Sequence, residues 1–89
     1  MTPAEQACRD ILRGIDEHPE DWVARCLILA DAVRECGRDQ VADRILRDIE
    51  ADRRIVVARW SQGIWGRLMD RRALGRADRR WVQRVLVGR

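Results

Sequence analysis

The segment between Asp21 and Gly37 constrains the fold more than any other part of the chain. Its apolar side chains recur with the 3.6-residue period of an α-helix and fall on one stripe of that helix. The residues of this stripe are Trp22, Cys26, Leu29, Ala30 and Val33. Asp21 places a negative charge in the first turn, and Gly37 supplies the residue without Cβ that a left-handed C-terminal cap needs. We therefore predict a central helix over about residues 20–36.

Three further apolar side chains of this helix lie outside the stripe. Val23, Leu27 and Ile28 widen the apolar surface to more than half of the helix circumference. A helix that is apolar around most of its circumference has to be covered on more than one side, so we expect neighbouring helices on two sides. The expected core comprises Ile11, Ile15, Trp22, Cys26, Leu29, Val33, Ile45 and Ile49.

A first helix is predicted ahead of the central one, over about residues 3–16. Thr2, Pro3 and Glu5 form a capping box, in which Thr2 is the N-cap and the Glu5 side chain reaches back to it. Pro19 ends this helix, because the residue before a proline is pushed out of the α region.

Further helices are predicted after Gly37. Asp39 is expected to cap a third helix that continues to about Arg59, followed by a turn over residues 63–66 and a short helix over 67–74. Asp78 is expected to cap a last helix. The apolar face of that last helix consists of Trp81, Val82, Val85 and Leu86.

These elements predict an all-α fold, a small bundle of four to five helices with the helix at 20–36 in its centre. The 89 residues allow one domain, spanning residues 1–89. A charged share of 37% beside an apolar share of 46% fits short helices with solvated outer faces.

Charge is distributed unevenly between the two halves of the chain. Residues 1–50 hold seven arginines and twelve acids, a net charge of −5, and residues 51–89 hold eleven arginines and three acids, a net charge of +8. Three interpretations stay open. The basic half can neutralise the acidic half by packing on it, it can bind nucleic acid, or one of the two halves can bind another protein or a second copy of this chain.

The candidate binding surface lies in the basic, Arg- and Trp-rich half. It comprises Arg67, Arg71, Arg72, Arg76, Arg79, Arg80 and Arg84, with Trp60 and Trp65 as aromatic contacts. We expect the arginines to be exposed, some of them paired with acids of the first half such as Glu17, Glu20 or Asp43. This surface predicts a non-enzymatic interaction module that binds a protein partner or self-associates. The alternative is a nucleic-acid-binding protein in which bases stack on the tryptophans beside the arginines.

Catalytic and metal chemistry is not expected. Cys8, Cys26 and Cys36 all fall on predicted apolar faces, and their spacing does not resemble the paired loops of zinc sites. His18 stands at a helix junction, where capping or solvent exposure is its ordinary role. We expect no enzyme activity, cofactor, metal or small-molecule substrate. Because no apolar run approaches the roughly 20 residues of a membrane span, we expect a cytoplasmic chain with reduced thiols and no membrane contact.

The first half also resembles the bacterial repeat-companion domain, a short helical module of unestablished function. The likeness covers about residues 7–50 and is carried by Ile15, Pro19, Asp21, Arg25, Leu29, Ala30, Asp31, Glu35, Gly37 and Ala42. The chain departs from the family pattern at Ala24, which precedes the arginine in place of proline, and at Ala32, where the family has tryptophan. The resemblance implies a two-helix hairpin and assigns no catalytic residue.

Overall fold

The computed structural model describes residues 1–50 and 74–87. Every regular element in these two ranges is helical, which confirms the all-α class for them. The elements are α1 (Pro3–Glu17), a 3₁₀ turn (Pro19–Asp21), α2 (Trp22–Glu35), α3 (Asp39–Glu50) and α4 (Arg76–Val82), which runs on as a π-helical turn (Gln83–Val87). The predicted extension of the third helix to Arg59, the turn at 63–66 and nearly all of the short helix at 67–74 lie outside the described residues.

Helix α1 begins at the predicted capping box. The Glu5 backbone N–H donates to Thr2 Oγ1 at 3.1 Å, and the Thr2 backbone N–H donates to Glu5 Oε1 at 3.0 Å. Two donors that the helix leaves unpaired are thereby satisfied. The helix ends at Glu17, one residue later than expected, and Pro19 opens the 3₁₀ turn that leads into α2.

Helix α2 ends as the sequence predicts and begins slightly later. Gly37 has a φ of 76°, its N–H donates to the Arg34 carbonyl at 2.9 Å, and the Arg38 N–H donates to the Val33 carbonyl at 3.3 Å. These two bonds form a Schellman cap, which confirms the role of Gly37. Asp21 belongs to the 3₁₀ turn and precedes the α-helix, so its expected place in the first turn of α2 is wrong.

The predicted N-caps of the last two described helices are also wrong. Asp39 already lies in the first turn of α3, because the Ala42 N–H donates to the Arg38 carbonyl at 3.1 Å. Helix α4 is preceded by Gly75, whose backbone is extended. Asp78 lies inside α4, where its carboxylate accepts a hydrogen bond from Arg38 Nη1 at 3.2 Å. This long-range ion pair takes the place of the local cap.

One core joins the two described ranges. Helix α2 packs against both α1 and α3, and the π-helical turn packs against α1. The buried apolar residues are Cys8, Leu12, Ile15, Cys26, Leu29, Ala30, Val33, Val41, Ala42, Ile45, Leu74, Trp81, Val82, Val85 and Leu86. Three expected core residues, Ile11, Trp22 and Ile49, lie at its edge and are only partly buried. The predicted apolar face of the last helix is confirmed, since all four of its side chains are buried.

Candidate functional site

The side of α2 that faces away from the core is apolar and open to solvent. Val23, Leu27 and Ile28 are 42%, 46% and 55% exposed, and Ala24 beside them is exposed as well. We call these four residues the outer face of α2. Helical geometry places them on adjacent positions of one side.

Helix α2 has two helical neighbours, α1 and α3, as expected, but neither of them covers the outer face. Both neighbouring helices pack on the opposite side of α2, around Cys26, Leu29 and Val33. The sequence signal for the outer face was the width of the apolar surface. The width indicates that α2 needs more than one neighbour, but it does not indicate which part of the apolar surface those neighbours leave exposed.

Exposed acids lie at both ends of the outer face. Glu20 and Asp21 lie at its N-terminal end, and Asp31 and Glu35 lie at its C-terminal end, all four of them exposed. We call these four residues the acidic rim. Arg34 is the exposed cation nearest to them along α2, and Asp43 of α3 accepts a hydrogen bond from it at 3.1 Å. Among the described residues of α2 and the preceding turn, acids therefore outnumber cations beside the outer face.

Arg25 does not join this surface. Its side chain lies against Gly14 of α1, so closely that a Cβ added at Gly14 would meet the Arg25 guanidinium at 2.6 Å. The Arg25 Nε is buried there. Arg25 therefore belongs to the contact between α1 and α2, whereas Asp31 lies on the acidic rim. The two residues occupy different faces of α2, and the part that Arg25 takes is structural.

The described arginines of the predicted basic surface divide into two groups. Arg76, Arg80 and Arg84 are exposed and follow one another at four-residue spacing, which places them in one row. Arg79 departs from the expected exposure: it is half-buried, and its Nη1 donates to the Leu74 carbonyl at 3.1 Å, just before α4 begins. The remaining candidates, Arg67, Arg71, Arg72, Trp60 and Trp65, lie outside the described residues.

Arg84 is bound to an acid that the sequence did not single out as its partner. Its Nη2 donates to Glu5 Oε2 at 3.1 Å, and the indole N–H of Trp81 donates to the same oxygen at 2.9 Å. Glu17, Glu20 and Asp43 had been expected as partners of these arginines. Nothing in the sequence could have linked Glu5 to Arg84, because 79 residues separate them.

Glu5 is held in its charged form by this cluster. The hydrogen bond from the Thr2 backbone lowers the pKa of Glu5 most, the bonds from Arg84 and Trp81 add to that effect, and burial opposes it. The result is a pKa of about 2 in place of the ordinary 4.5. The same carboxylate therefore caps α1 and joins the beginning of the chain to its last described turn.

Trp81 is a core residue and no platform for bases. The residue is 3% exposed, and the Arg38 guanidinium lies 5.9 Å from the ring centroid. Arg38 also pairs with Asp78 at 3.2 Å. Through these two contacts, Arg38 joins the connection between α2 and α3 to helix α4.

The reactive side chains of the described residues are dispersed. Residues 1–50 and 74–87 contain no group of three or more His, Cys, Asp or Glu side chains arranged to hold a metal ion. Burial raises the pKa of Cys8 and of Cys26 to about 12, which keeps both thiols protonated. Cys36 departs from the expectation of burial, since it is only partly buried at the end of α2. His18 is exposed and lies 3.5 Å from Glu20.

Comparison of the chain with protein-family models, curated proteins and solved structures finds no match. Among the described residues, no helix is long and apolar enough to cross a membrane. The described residues thus offer three candidate binding surfaces: the outer face of α2, the acidic rim, and the row formed by Arg76, Arg80 and Arg84.

Proposed function

We propose that this chain is a non-enzymatic helical interaction module that binds a protein partner through the outer face of α2. The observation that carries the proposal is the exposure of Val23, Leu27 and Ile28 together on one helix. Single exposed apolar residues are common on protein surfaces, but a cluster with a polar rim is typical of a docking surface. A helix of the partner is the natural occupant, because it presents apolar side chains at matching intervals.

The acidic rim specifies the chemistry of that partner. Glu20, Asp21, Asp31 and Glu35 lie at the two ends of the apolar surface, so a helix with arginines or lysines beside its apolar stripe is complementary. A second copy that docks by the same face would bring four more acids to the same place, because a two-fold contact pairs a surface with itself. Charge therefore favours a basic amphipathic helix over the outer face of a second copy.

The expected affinity is modest. Complete burial of one aliphatic side chain contributes about 1.5–3 kcal/mol, and association costs on the order of 4–15 kcal/mol in lost freedom. The three side chains are already about half-buried, so covering them contributes roughly half of that sum. Even with a similar gain from the partner's apolar side chains and a few charge pairs, the Kd is micromolar at best. Such an affinity suits a regulated, reversible contact.

We also propose an architecture for the domain and a location for it in the cell. The domain is a bundle of four or five helices with α2 in its centre, and its first half follows the repeat-companion pattern. We place it in the cytoplasm, where charged docking surfaces meet soluble partners.

A pair of synthetic peptides tests the proposal. One is an amphipathic helix with leucines on one face and arginines beside them, and the other has glutamate at each arginine position. Fluorescence anisotropy should show binding of the basic peptide and none of the acidic one. Leu27→Glu should weaken binding at least about tenfold, since a charged residue at the centre of the contact costs several kcal/mol.

Gln6→Glu is the matched control, because it adds the same charge at an exposed position of α1. Equal binding by the Leu27→Glu and Gln6→Glu variants would refute the docking surface. Sedimentation equilibrium of the chain without peptide completes the test: a stable dimer lost in the Leu27→Glu variant would identify a second copy as the occupant and overturn the basic-helix proposal.

Nucleic-acid binding is the second candidate, and one observation favours it. Arg76, Arg80 and Arg84 form an exposed row, and the acid within α4, Asp78, is neutralised by Arg38. Arg84 is paired with Glu5, so two to three phosphate contacts are available, and affinity would fall by roughly 1–1.5 decades between 50 and 200 mM salt. Anisotropy of labelled DNA and RNA at both salt concentrations measures this. No binding at 50 mM salt with micromolar protein would eliminate the candidate.

A further inference from the structure

Two cysteines from different helices lie in contact. Cys8 Sγ on α1 and Cys36 Sγ at the end of α2 are 3.8 Å apart, although 28 residues separate them in the chain. Cys8 is completely buried, whereas Cys36 is partly open to solvent. The two sulfurs therefore form a pair with one accessible member.

We propose that Cys8 and Cys36 are a redox modification site, at which a hydroperoxide converts the two thiols into a reversible disulfide. A disulfide needs the sulfurs at about 2.05 Å, so they have to approach by less than about 2 Å. Rotation about the Cα–Cβ bonds brings sulfurs in contact closer without moving either helix far. Cys36 follows the last residue of α2, so its side chain is not enclosed by a further helical turn.

The accessibility of the two thiols sets the order of the chemistry. The Cys36 thiolate attacks the outer oxygen of the hydroperoxide, the O–O bond breaks, and an alcohol (or water, from hydrogen peroxide) leaves after taking up a proton. Cys36 is then a sulfenic acid. Cys8 Sγ attacks Cys36 Sγ, the S–O bond breaks, and the hydroxide leaves as water with the proton of the Cys8 thiol. In sum, two thiols and one hydroperoxide give one disulfide, one alcohol and one water.

Cys8 is suited to the second step and not to the first. Burial raises the pKa of the Cys8 thiol to about 12, and the neighbouring Cys36 contributes to that rise through its charge and its hydrogen bond. Oxidation of Cys36 to the sulfenic acid removes these two contributions, whereas burial, the largest cause of the raised pKa of Cys8, stays. The Cys8 thiol therefore loses its proton more easily once its target has formed.

The bond would fasten α1 to the C-terminal end of α2 and leave the outer face of α2 untouched. Closing the chain between residues 8 and 36 removes freedom mainly from the unfolded state. For a loop of this length and a domain of this size, Tm should rise by roughly 10–20 °C. The inference does not depend on the proposed partner.

The test is peptide mapping of folded protein treated with hydrogen peroxide. Cleavage after arginine places the three cysteines on separate fragments, 1–9, 26–34 and 35–38. After alkylation of free thiols, the fragments 1–9 and 35–38 should appear joined, with the loss of two hydrogens, while 26–34 carries its cysteine unmodified or alkylated. Dithiothreitol should separate the fragments and reverse the rise in Tm.

Two variants complete the experiment, each compared with its own reduced form so that differences in basal stability cancel. Cys26→Ala should form the linked fragment and show the rise in Tm, whereas Cys36→Ser should show neither. The same treatment in urea, where the chain is unfolded, should yield mixed pairings. Over-oxidation of Cys36 to the sulfinic acid without a linked fragment, or pairing of Cys36 only with Cys36 of another molecule, would overturn the proposal.

Discussion

The two faces of α2 contain similar aliphatic side chains in opposite environments. The inner face, formed by Cys26, Leu29, Ala30 and Val33, is between 0% and 2% exposed, whereas Leu27 on the outer face is 46% exposed. Both faces obey helical spacing, so the sequence pattern does not distinguish them. The difference arises because α1 and α3 converge on one side of α2. An apolar pattern therefore indicates which faces of a helix other elements can cover. The tertiary contacts decide which of those faces are covered in the folded chain.

The largest expected effect compares the two leucines of this helix. Leu29→Ala should lower the free energy of unfolding by about 2–4 kcal/mol, because it leaves a cavity in the core. Leu27→Ala should change it by no more than about 0.5 kcal/mol, since the side chain is already half in water. Urea denaturation of both variants measures the difference. Similar losses in both would show that the outer face is covered in the folded chain.

The next effect concerns Gly37, the C-terminal cap at which both faces of α2 end. Gly37→Ala should cost about 1–2 kcal/mol, because a side chain is strained at a φ of 76°. Gly75→Ala is the control: its φ is −68°, and nothing lies within 4 Å of an added Cβ. We expect a change within about 0.5 kcal/mol there. Thermal unfolding of the two variants measures the difference in stability. Equal losses of stability in both variants would argue against the left-handed cap.

The smallest effect compares how two carboxylates change stability with pH: Glu5, which is buried, and Glu35, which is exposed on the acidic rim. The pKa of Glu5 is lowered from 4.5 to about 2, so its contribution to stability is complete above about pH 5 and is lost as the pH falls towards 2. Glu5→Gln should flatten that part of the pH dependence. Glu35→Gln, at an exposed rim position, should leave it unchanged. Urea midpoints between pH 2 and pH 6 measure both, and an unchanged acid limb in the Glu5 variant would contradict the cluster.

The features that could be predicted from sequence are those that local rules determine. Thr2 with Glu5 and Gly37 were assigned correctly because a capping box and a left-handed cap involve residues within one turn. Leu29 followed from helical periodicity. All three depend on neighbours along the chain.

The features that could not be predicted depend on pairs distant in sequence. Aspartate is a residue type favoured at N-caps, yet the Asp78 carboxylate accepts a hydrogen bond from Arg38, 40 residues away in the chain. Glu5 was expected only as a capping residue, and its bonds to Trp81 and Arg84 arise from the packing of the last turn on α1. The outer face of α2 belongs with these cases, because its exposure depends on where other helices lie.

The central claim is that the outer face of α2 is a docking surface for a basic helix. Its most direct test is a titration of ¹⁵N-labelled protein with the arginine-bearing amphipathic peptide, followed by amide chemical shifts. We expect the largest chemical-shift changes at Val23, Leu27 and Ile28 and on the acidic rim. These changes should reach a plateau as the peptide concentration rises. Shifts spread evenly over exposed acids elsewhere, or no shifts on α2 at all, would contradict it.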